Sequence, residues 1–249
     1  MQDLLQSASG YDRLLLKLES IADLSSEERA ALRRLPIRVR DLSAGEDFVQ
    51  DGDIPTESCL LLEGLACRYK LLEGGGRQIL SFHIPGDIPD MQSLHLTRMD
   101  YSMSALGRSQ VAYIPHASLR TLTREHPGLA EIFWRDTLVD AAIFREWMIG
   151  LGRRDAACRL AHLFCELMVK FRAVHLANND KAPLPLTQVE LSDALGLSPV
   201  HVNRVLQDLR GAGLIRFGHG VLEVLDWQGL VRAGDFDPCY LHLEEGLAA

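Results

Sequence analysis

The chain has 249 residues, which exceeds the usual size of one domain, so two domains are expected. Its composition, 47% hydrophobic and 24% charged, is that of an ordinary globular protein. No run of about 18 apolar residues occurs, which excludes a transmembrane helix. Residues 1–10 lack a basic segment followed by an apolar core, so no secretory signal is predicted and we expect a cytoplasmic protein.

The net charge of −8 is unevenly distributed along the chain. Residues 1–152 carry −6, residues 153–225 carry +2 and residues 226–249 carry −4. Because binding to phosphates depends on local charge, an acidic remainder does not exclude a polyanionic partner for the middle segment.

The cysteines are scattered and contain no CxxC pair, which argues against a disulfide framework and against a metal site. We predict buried structural thiols, with redox sensing as the alternative. The five are Cys59, Cys67, Cys158, Cys165 and Cys239.

Residues 1–36 are predicted to hold N-terminal helices. Apolar residues recur at helical spacing from Leu14 to Ile21. Ser25 or Ser26 is then expected to cap a short helix that Pro36 stops.

Residues 37–126 form the predicted first domain. Short apolar stretches alternate with glycine-bearing breaks from Ile37 to Pro115, which indicates strands of about five residues between frequent turns. Such a pattern is typical of an antiparallel β-roll, whose interior can hold a ligand or only side chains.

Residues 127–152 are predicted to form a long helix that opens at Pro127 and breaks at a hinge at Gly150 and Gly152. It carries two apolar stripes, so we expect one face to pack on the roll and the other to pair with a second copy. A core helix buried entirely within one chain is the alternative. The expected dimer seam consists of Phe133, Thr137, Asp140, Phe144, Trp147 and Leu151.

Residues 153–232 form the predicted second domain, and residues 233–249 a C-terminal tail. An amphipathic helix is expected from Arg153 to Phe171, and the polar, proline-bearing segment from Leu176 to Pro185 is expected to be a loop. The predicted fold class is therefore α+β, with a β-roll, a dimerisation helix and a winged helix-turn-helix.

The segment TQVELSDALGLSPVHVNRVLQDLRGAG carries the functional prediction. Thr187 and Glu190 have the spacing of a capping box, Gly196 provides a tight turn, and Ser198 caps a second helix. Pro199 stands at its first position, where a missing amide proton costs nothing. A hairpin expected over residues 214–224 would be the wing, and the combination indicates DNA binding. A winged domain that contacts protein instead is the alternative.

The second helix is predicted to face inward with its valines and leucines and outward with its polar residues. Arg204 can contact guanine with two hydrogen bonds, and Val200 can pack on a thymine methyl group. Asn203 suits adenine or phosphate, and phosphate contacts are expected from other polar groups. The predicted DNA-binding residues are Ser198, Pro199, Val200, His201, Asn203, Arg204, Gln207 and Gln188.

The chain resembles the Crp/Fnr superfamily of bacterial transcription regulators over about residues 37–225. The motifs that carry the resemblance are AGEDFVQDGD, LLLEGLACRY, FHIPGD, LGRRDAACRLAHLFCEL and LTQVELSDALGLSPVHVNRVLQDL. The resemblance implies a cyclic-nucleotide-binding-like roll, a homodimer on palindromic DNA, and contact with RNA polymerase. Well-known relatives place a glutamate where Val200 stands, so altered reading of one base is expected.

The chain departs from the cyclic AMP-binding members of that family. Their Gly-Glu is replaced after Asp87 by Ile88 and Pro89, and the expected Arg-Ser falls near Arg98, beside an acidic residue. We therefore expect no cyclic AMP binding, and the effector stays unidentified. The candidate residues of the effector pocket are Asp90, Met91, Arg98, Met99 and Asp100.

Other cofactors and catalysis are not indicated by the sequence. No cysteine precedes Cys59, so the iron–sulfur cluster of oxygen-sensing members is not expected. Haem ligation by His83 or His95 is left open, although a single histidine in a roll is usually structural. A nucleophile elbow, an HExxH motif and a P-loop are all absent from the sequence, so no enzyme is predicted.

Overall fold

The computed structural model describes residues 2–178 and 180–244, without the side chains of residues 2–10. Parts of the predicted N-terminal region, loop and C-terminal tail, namely residues 1, 179 and 245–249, lie outside the described residues. The chain forms two compact units. One comprises the residues up to Lys70 with Phe82–Asp140, and the other comprises Leu71–Ser81 with the residues from Ala141 onward.

Two helices begin the first unit, α1 (Gln2–Glu19) and α2 (Ser26–Arg33). Ser25 is the N-cap of α2: its hydroxyl accepts the backbone N–H of Glu28, whose carboxylate in turn accepts the N–H of Ser25 at 2.9 Å. This capping box settles the choice between the two serines, because Ser26 already lies inside the helix.

Seven strands build the predicted roll. They form two antiparallel sheets with the strand orders β1-β7-β3 and β2-β6-β4-β5. The expected fold class is confirmed, although charged and small residues interrupt the apolar pattern in β1 and β6. The strands are β1 (Arg38–Leu42), β2 (Asp47–Val49), β3 (Glu57–Glu63), β4 (Ala66–Leu71), β5 (Arg77–His83), β6 (Ser102–Ala105) and β7 (Ser109–Pro115).

Strand β3 separates two apolar cores in the first unit. Because successive side chains point to opposite faces of a strand, Leu60 and Leu62 join one cluster while Cys59 and Leu61 join another. The first cluster packs the sheet against the helices. The second fills the inside of the roll.

The roll is followed by α3 (His116–Glu125) and α4 (Pro127–Arg153). Helix α3 was not predicted, and its inner side consists of only Leu119 and Leu122 besides a buried histidine. The helix break predicted at Gly150 and Gly152 is misplaced, because α4 continues through both residues and ends at Arg153. A glycine inside a helix costs only about 1 kcal/mol relative to alanine, which the rest of a long helix can offset.

The break between α4 and the next helix lies instead at Arg154 and Asp155. Helix α5 (Ala156–Ala173) begins there because the Asp155 carboxylate accepts the backbone N–H of Cys158 at 2.8 Å. An N-cap, rather than a glycine pair, therefore defines this boundary.

The predicted dimer seam on α4 is shifted by one residue from the apolar stripe that the structure leaves exposed. Phe133 is buried and Asp140 is paired within the chain, so neither is free to meet a second copy. Exposed side chains recur one position later, at alternating steps of four and three. They are Trp134 (68% exposed), Leu138 (55%), Arg145 and Met148 (72%), with the half-buried Ala141 between them.

Besides the end of α4 and α5, three further α-helices lie in the described part of the second unit. They are α6 (Gln188–Leu195), α7 (Pro199–Gly211) and α8 (Trp227–Ala233). A three-stranded antiparallel sheet has the order β8-β10-β9, with β8 (Lys181–Pro183), β9 (Ile215–Gly218) and β10 (Val221–Val224). The segment predicted as a loop thus contains a strand, because Ala182 pairs with Leu222 of β10. No helix in the described part of the chain is long and apolar enough to cross a membrane.

A buried carboxylate joins three elements of the second unit. Glu166 of α5 is 2% exposed, and burial raises its pKa. It accepts hydrogen bonds from Trp147 Nε1 of α4 at 3.0 Å and from the Tyr240 hydroxyl at 2.9 Å. The Tyr240 hydroxyl also lies 3.0 Å from Nε2 of His162. The predicted tail is therefore packed structure up to Leu241.

Tyr240→Phe should destabilise the protein by about 1–3 kcal/mol, because the buried Glu166 loses one of its donors. Urea unfolding measures the difference. Tyr69→Phe is the matched control: the Tyr69 hydroxyl donates to Asp47, which is only half-buried and can be hydrated instead. Equal losses in the two variants would contradict a special role for the buried carboxylate.

Candidate nucleic-acid interface

Helix α6 and the turn after it follow directly from the local sequence. The Thr187 hydroxyl accepts the N–H of Glu190 at 3.2 Å, and the Glu190 carboxylate accepts the N–H of Thr187 at 2.6 Å. At the other end Gly196 adopts a left-handed conformation with φ of 62°, which residues with a Cβ rarely adopt. The chain therefore reverses between α6 and α7 as predicted.

Helix α7 is fixed at its start and along one side. Ser198 accepts the N–H of His201 at 3.2 Å, and Pro199 occupies the first helical position. Along one side, a row of apolar side chains that are at most 4% exposed anchors the helix to the domain. They are Val202, Val205, Leu206 and Leu209.

The other side of α7 is exposed and carries most of the predicted DNA-binding residues. Val200 is 82% exposed, and Asn203, Arg204 and Gln207 are exposed as well. Ser198 and Pro199 are exposed at the start of the helix. The eighth predicted residue, Gln188, lies apart from them in the first turn of α6 and is half-buried.

His201 and Arg204 are joined by a hydrogen bond one helical turn apart. Nη2 of Arg204 lies 3.1 Å from Nε2 of His201. Since a guanidinium can only donate, the imidazole accepts on Nε2 and carries its proton on Nδ1. His201 therefore holds the Arg204 side chain along the exposed face.

The wing is the hairpin of β9 and β10. His219 and Gly220 form its two-residue turn with φ values of 52° and 75°, the positive pair that a type I′ turn requires. Glu223 on β10 pairs with Lys181 at 3.2 Å and with the exposed Arg216 of β9 at 3.3 Å, and these two ion pairs lower the pKa of Glu223. Sequence reasoning predicted the hairpin but did not select Arg216, which only the exposure of this side of β9 reveals.

The wing is packed onto the helices below it. The rings of Phe164 and Phe217 lie 5.3 Å apart, and Nη2 of Arg210 donates to the carbonyl of Phe217. Helix α7 and the wing are thereby held as one body, with exposed cationic side chains on both.

The five candidate residues of the effector pocket are not gathered around one pocket. Met91 belongs to the cluster between sheet and helices, whereas Met99 belongs to the inside of the roll. Arg98 is exposed and donates to the carbonyl of Gly52 at 2.8 Å, and Asp100 is exposed too. Met91 lies at the start of a short 3-10 helix (Met91–Leu94), whereas Met99 is buried between two exposed charged residues.

Asp90 is the exception among the five, because it is buried completely. Its Oδ1 accepts the backbone N–H of Cys59 at 2.8 Å, while its Oδ2 has no hydrogen-bond partner among the described residues. Burial raises the pKa of Asp90 to about 7. A carboxyl group inside the roll is therefore ready to hold a proton near neutral pH.

Arg68 of β4 is a buried cation that sequence reasoning missed. Its guanidinium donates to Asp140 of α4 at 2.9 Å and to the carbonyl of Pro89, and lies 4.6 Å from the ring centre of Tyr101. An arginine within the otherwise apolar start of β4 was the available signal. Its charge is already matched inside the chain.

These residues do not fit a cyclic nucleotide. A cyclic phosphate needs a cation that is free to pair with it, and charge-assisted hydrogen bonds are the usual form of that pairing. Arg68 is paired with Asp140, Arg98 faces outward, and Asp90 contributes a carboxyl group rather than a cation to the inside of the roll.

The histidines and cysteines show no cluster suited to a metal. His83 is buried, lies 3.5 Å from Asp87, and burial lowers its pKa to about 4, whereas His95 is exposed. No group of three or more metal-ligating side chains occurs among the described residues. Three of the five thiols are buried, but Cys158 is half-buried and Cys239 is exposed, so the prediction of buried thiols is wrong for those two.

Comparison with known proteins agrees with this arrangement. Residues 39–126 match the cyclic nucleotide-binding domain family, and residues 158–233 match the Crp-like helix-turn-helix domain family. The chain is 31% identical over 205 residues to the nitrogen fixation regulation protein FixK of Bradyrhizobium diazoefficiens, covering 82% of this chain and 85% of that protein.

Two further similarities agree with these matches. The transcriptional activator protein FnrA of Stutzerimonas stutzeri is 25% identical over 83% of this chain and 84% of its own length. The structure of FixK2 from Bradyrhizobium japonicum superposes with a TM-score of 0.70 at 24% identity, covering 80% of this chain and 98% of that one. The chain therefore belongs to the Crp/Fnr family, and it is a DNA-binding transcription regulator rather than an enzyme.

Proposed function

We propose that the chain acts as a homodimer on a palindromic operator, with one helix α7 in the major groove of each half-site, under the control of an unidentified signal at the roll. The observation that carries this proposal is the division of α7 into a buried apolar side and an exposed side bearing Arg204 and Val200. In helix-turn-helix proteins the second helix reads base edges with such residues.

Base contacts are assigned by chemistry. Arg204 donates two hydrogen bonds to guanine O6 and N7, and Val200 packs on a thymine methyl group. Asn203 contacts adenine or phosphate. Because valine cannot accept a hydrogen bond from a base amine, the operator should differ at that base from those of relatives with glutamate there.

Phosphate contacts surround these base contacts. Phosphate oxygens suit the polar side chains of α7 and its N-cap, one side chain in the first turn of α6, and the exposed arginine of the wing. These side chains are Ser198, His201, Gln207, Gln188 and Arg216. Pro199 lies among them and supplies apolar contact.

The dimer is proposed to form along the exposed stripe of α4. In a left-handed coiled coil of two helices, the buried residues recur at alternating steps of four and three. This is the spacing from Trp134 to Met148. Two α7 helices about 34 Å apart would then meet successive major grooves. Arg145 within the stripe adds a polar point that can fix the register of the pair.

The functional division of the chain is proposed to follow these elements. Residues 37–126 serve as the sensor, residues 127–152 as the dimerisation helix, and residues 153–232 as the DNA-binding domain, between the N-terminal helices of 1–36 and the tail of 233–249. Contact with RNA polymerase is proposed because a relative such as FnrA is named a transcriptional activator.

The signal at the roll is proposed to be something other than a cyclic nucleotide. Asp90 supports this, because a buried carboxyl with a free oxygen suits a hydrogen-bond donor or a proton rather than an anion.

Arg204→Ala should weaken binding to the operator by about 1–3 kcal/mol and binding to random DNA much less. The operator is first selected from random fragments with the wild-type protein, and fluorescence anisotropy measures both affinities. Arg108→Ala, an exposed arginine in a turn of the roll, is the control for lost charge. Equal losses on operator and random DNA would assign Arg204 to the phosphate backbone.

The mass in solution should be about twice 27.7 kDa by light scattering. Leu138→Glu and Met148→Glu should each shift the population toward monomer, because a carboxylate would be buried in the seam. Ile54→Glu is the matched control, an equally exposed apolar residue in a turn of the roll. Wild-type protein that is monomeric at micromolar concentration would refute the proposed seam.

Asp90→Asn should stabilise the protein more at pH 8 than at pH 5. The pKa of Asp90 in the folded protein, about 7, lies above that of an unfolded aspartate, so the folded state keeps a proton that the unfolded chain loses. The free energy of unfolding therefore falls as the pH rises from about 4 to about 7, and asparagine removes this loss.

Urea unfolding across pH 5–8 measures the effect. Asp100→Asn is the control, since Asp100 is exposed. If the wild type and Asp90→Asn show the same pH dependence, Asp90 does not titrate in this range.

A further inference from the structure

The hairpin that joins β4 to β5 belongs to the same compact unit as the helix-turn-helix. Residues Leu71–Ser81 group with the chain from Ala141 onward, although the strands on both sides continue into the roll. The hairpin closes with a hydrogen bond from the N–H of Leu72 to the carbonyl of Gly76 at 2.8 Å.

The C-terminal end of helix α6 carries an unfavourable negative charge. Asp193 lies in the last turn, where the negative end of the helix dipole disfavours a carboxylate. Arg77, the first residue of β5, donates from Nε to Asp193 Oδ2 at 2.7 Å. The two side chains are only 28% and 21% exposed, so water screens this pair less than an ordinary surface ion pair.

The last carbonyl groups of α6 also need donors. Gln78 Nε2 donates to the carbonyl of Ala194 at 3.2 Å, and Arg159 Nη1 of α5 donates to the carbonyl of Leu195 at 2.6 Å. Side chains from two other elements thus satisfy groups that a helix end leaves unpaired. The hairpin holds α6 directly before the turn that leads into α7.

We propose that Arg77 and Gln78 are positioning residues for DNA binding, which hold the C-terminal end of α6 and thereby set the direction in which α7 presents Arg204. The inference rests on the DNA-binding role of α7. It adds the pair of Arg77 and Asp193, which lie 116 positions apart in sequence, to the residues that determine affinity.

The contact orients the helix-turn-helix and does not cover it. The hairpin contacts the end of α6, while Val200 and Arg204 on α7 are exposed. DNA and the hairpin can therefore bind the same domain at once, and the contact lowers the conformational cost of binding by preorganisation.

The same contact offers a route from the roll to the DNA-binding helices. Strand β5 runs from Arg77 to His83, and its Ile79, Phe82 and His83 side chains are buried. A shift of this strand on signal binding would move the groups that hold α6. Such coupling needs two arrangements of the strand that bind DNA differently.

The test compares Arg77→Ala and Asp193→Asn, whose effects on net charge are opposite. Loss of a cation weakens DNA binding by simple electrostatics, whereas loss of an anion strengthens it. Positioning instead predicts that both variants lose about fivefold or more in operator affinity, the low end of couplings between sites. Fluorescence anisotropy on the selected operator measures the affinities, and light scattering confirms the oligomeric state of each variant.

The charge exchange Arg77→Asp with Asp193→Arg should recover most of the wild-type affinity, because the pair is restored and an arginine suits the end of α6. Gln78→Ala should give a smaller loss in the same direction. Arg108→Ala is the control for removing an exposed cation from a turn of the roll.

The outcomes separate this inference from the proposed function. If Asp193→Asn binds the operator as tightly as the wild type, or more tightly, the positioning role is overturned. Loss in both single variants with recovery in the exchange supports it. If Arg204→Ala also binds normally, the assignment of α7 as the reading helix fails, whatever the hairpin variants show.

Discussion

The buried side of α7 is the constraint on which the rest of the interface depends. Val202, Val205, Leu206 and Leu209 are almost completely buried, and each apolar side chain of this size contributes about 1.5–3 kcal/mol when it leaves water. That anchor leaves the helix no freedom to rotate about its axis. Arg204 points outward because the apolar residues of the helix occupy its buried side, and its Nη2 donates a surface hydrogen bond to Nε2 of His201.

In the roll, the charged groups rather than the apolar surface determine which class of ligand the interior can bind. Arg68 pairs with Asp140 on α4, so the inside of the roll is connected to the helix that carries the exposed stripe. Oδ2 of Asp90 has no hydrogen-bond partner in the part of the chain that the structure describes. A domain that resembles a nucleotide receptor in its strands therefore differs from one in its chemistry, since it offers a buried acid where an anion would need a cation.

The helix-turn-helix could be predicted in detail because its determinants are local. The capping pair at Thr187 and Glu190, the turn at Gly196 and the cap at Ser198 each act within four residues. Features decided by packing were missed or misplaced. Strand β8 forms because it pairs with the edge of β10. Helix α4 continues through two glycines. The exposed stripe is shifted by one residue because Phe133 packs in the core.

The long-range contacts that sequence could not reveal are also those suited to regulation. Arg77 and Asp193 have no local reason to pair; each is a charged residue in an ordinary amphipathic element. The charge of Asp193 is unfavourable at the C-terminal end of α6. In the folded chain Arg77 pairs with it, and this ion pair connects the hairpin to the helix. In the proposed positioning role, such a contact orients the helix through polar side chains rather than through a large apolar surface. A larger apolar contact would instead lock the domain in one arrangement, and a signal would then have too little binding energy to move it.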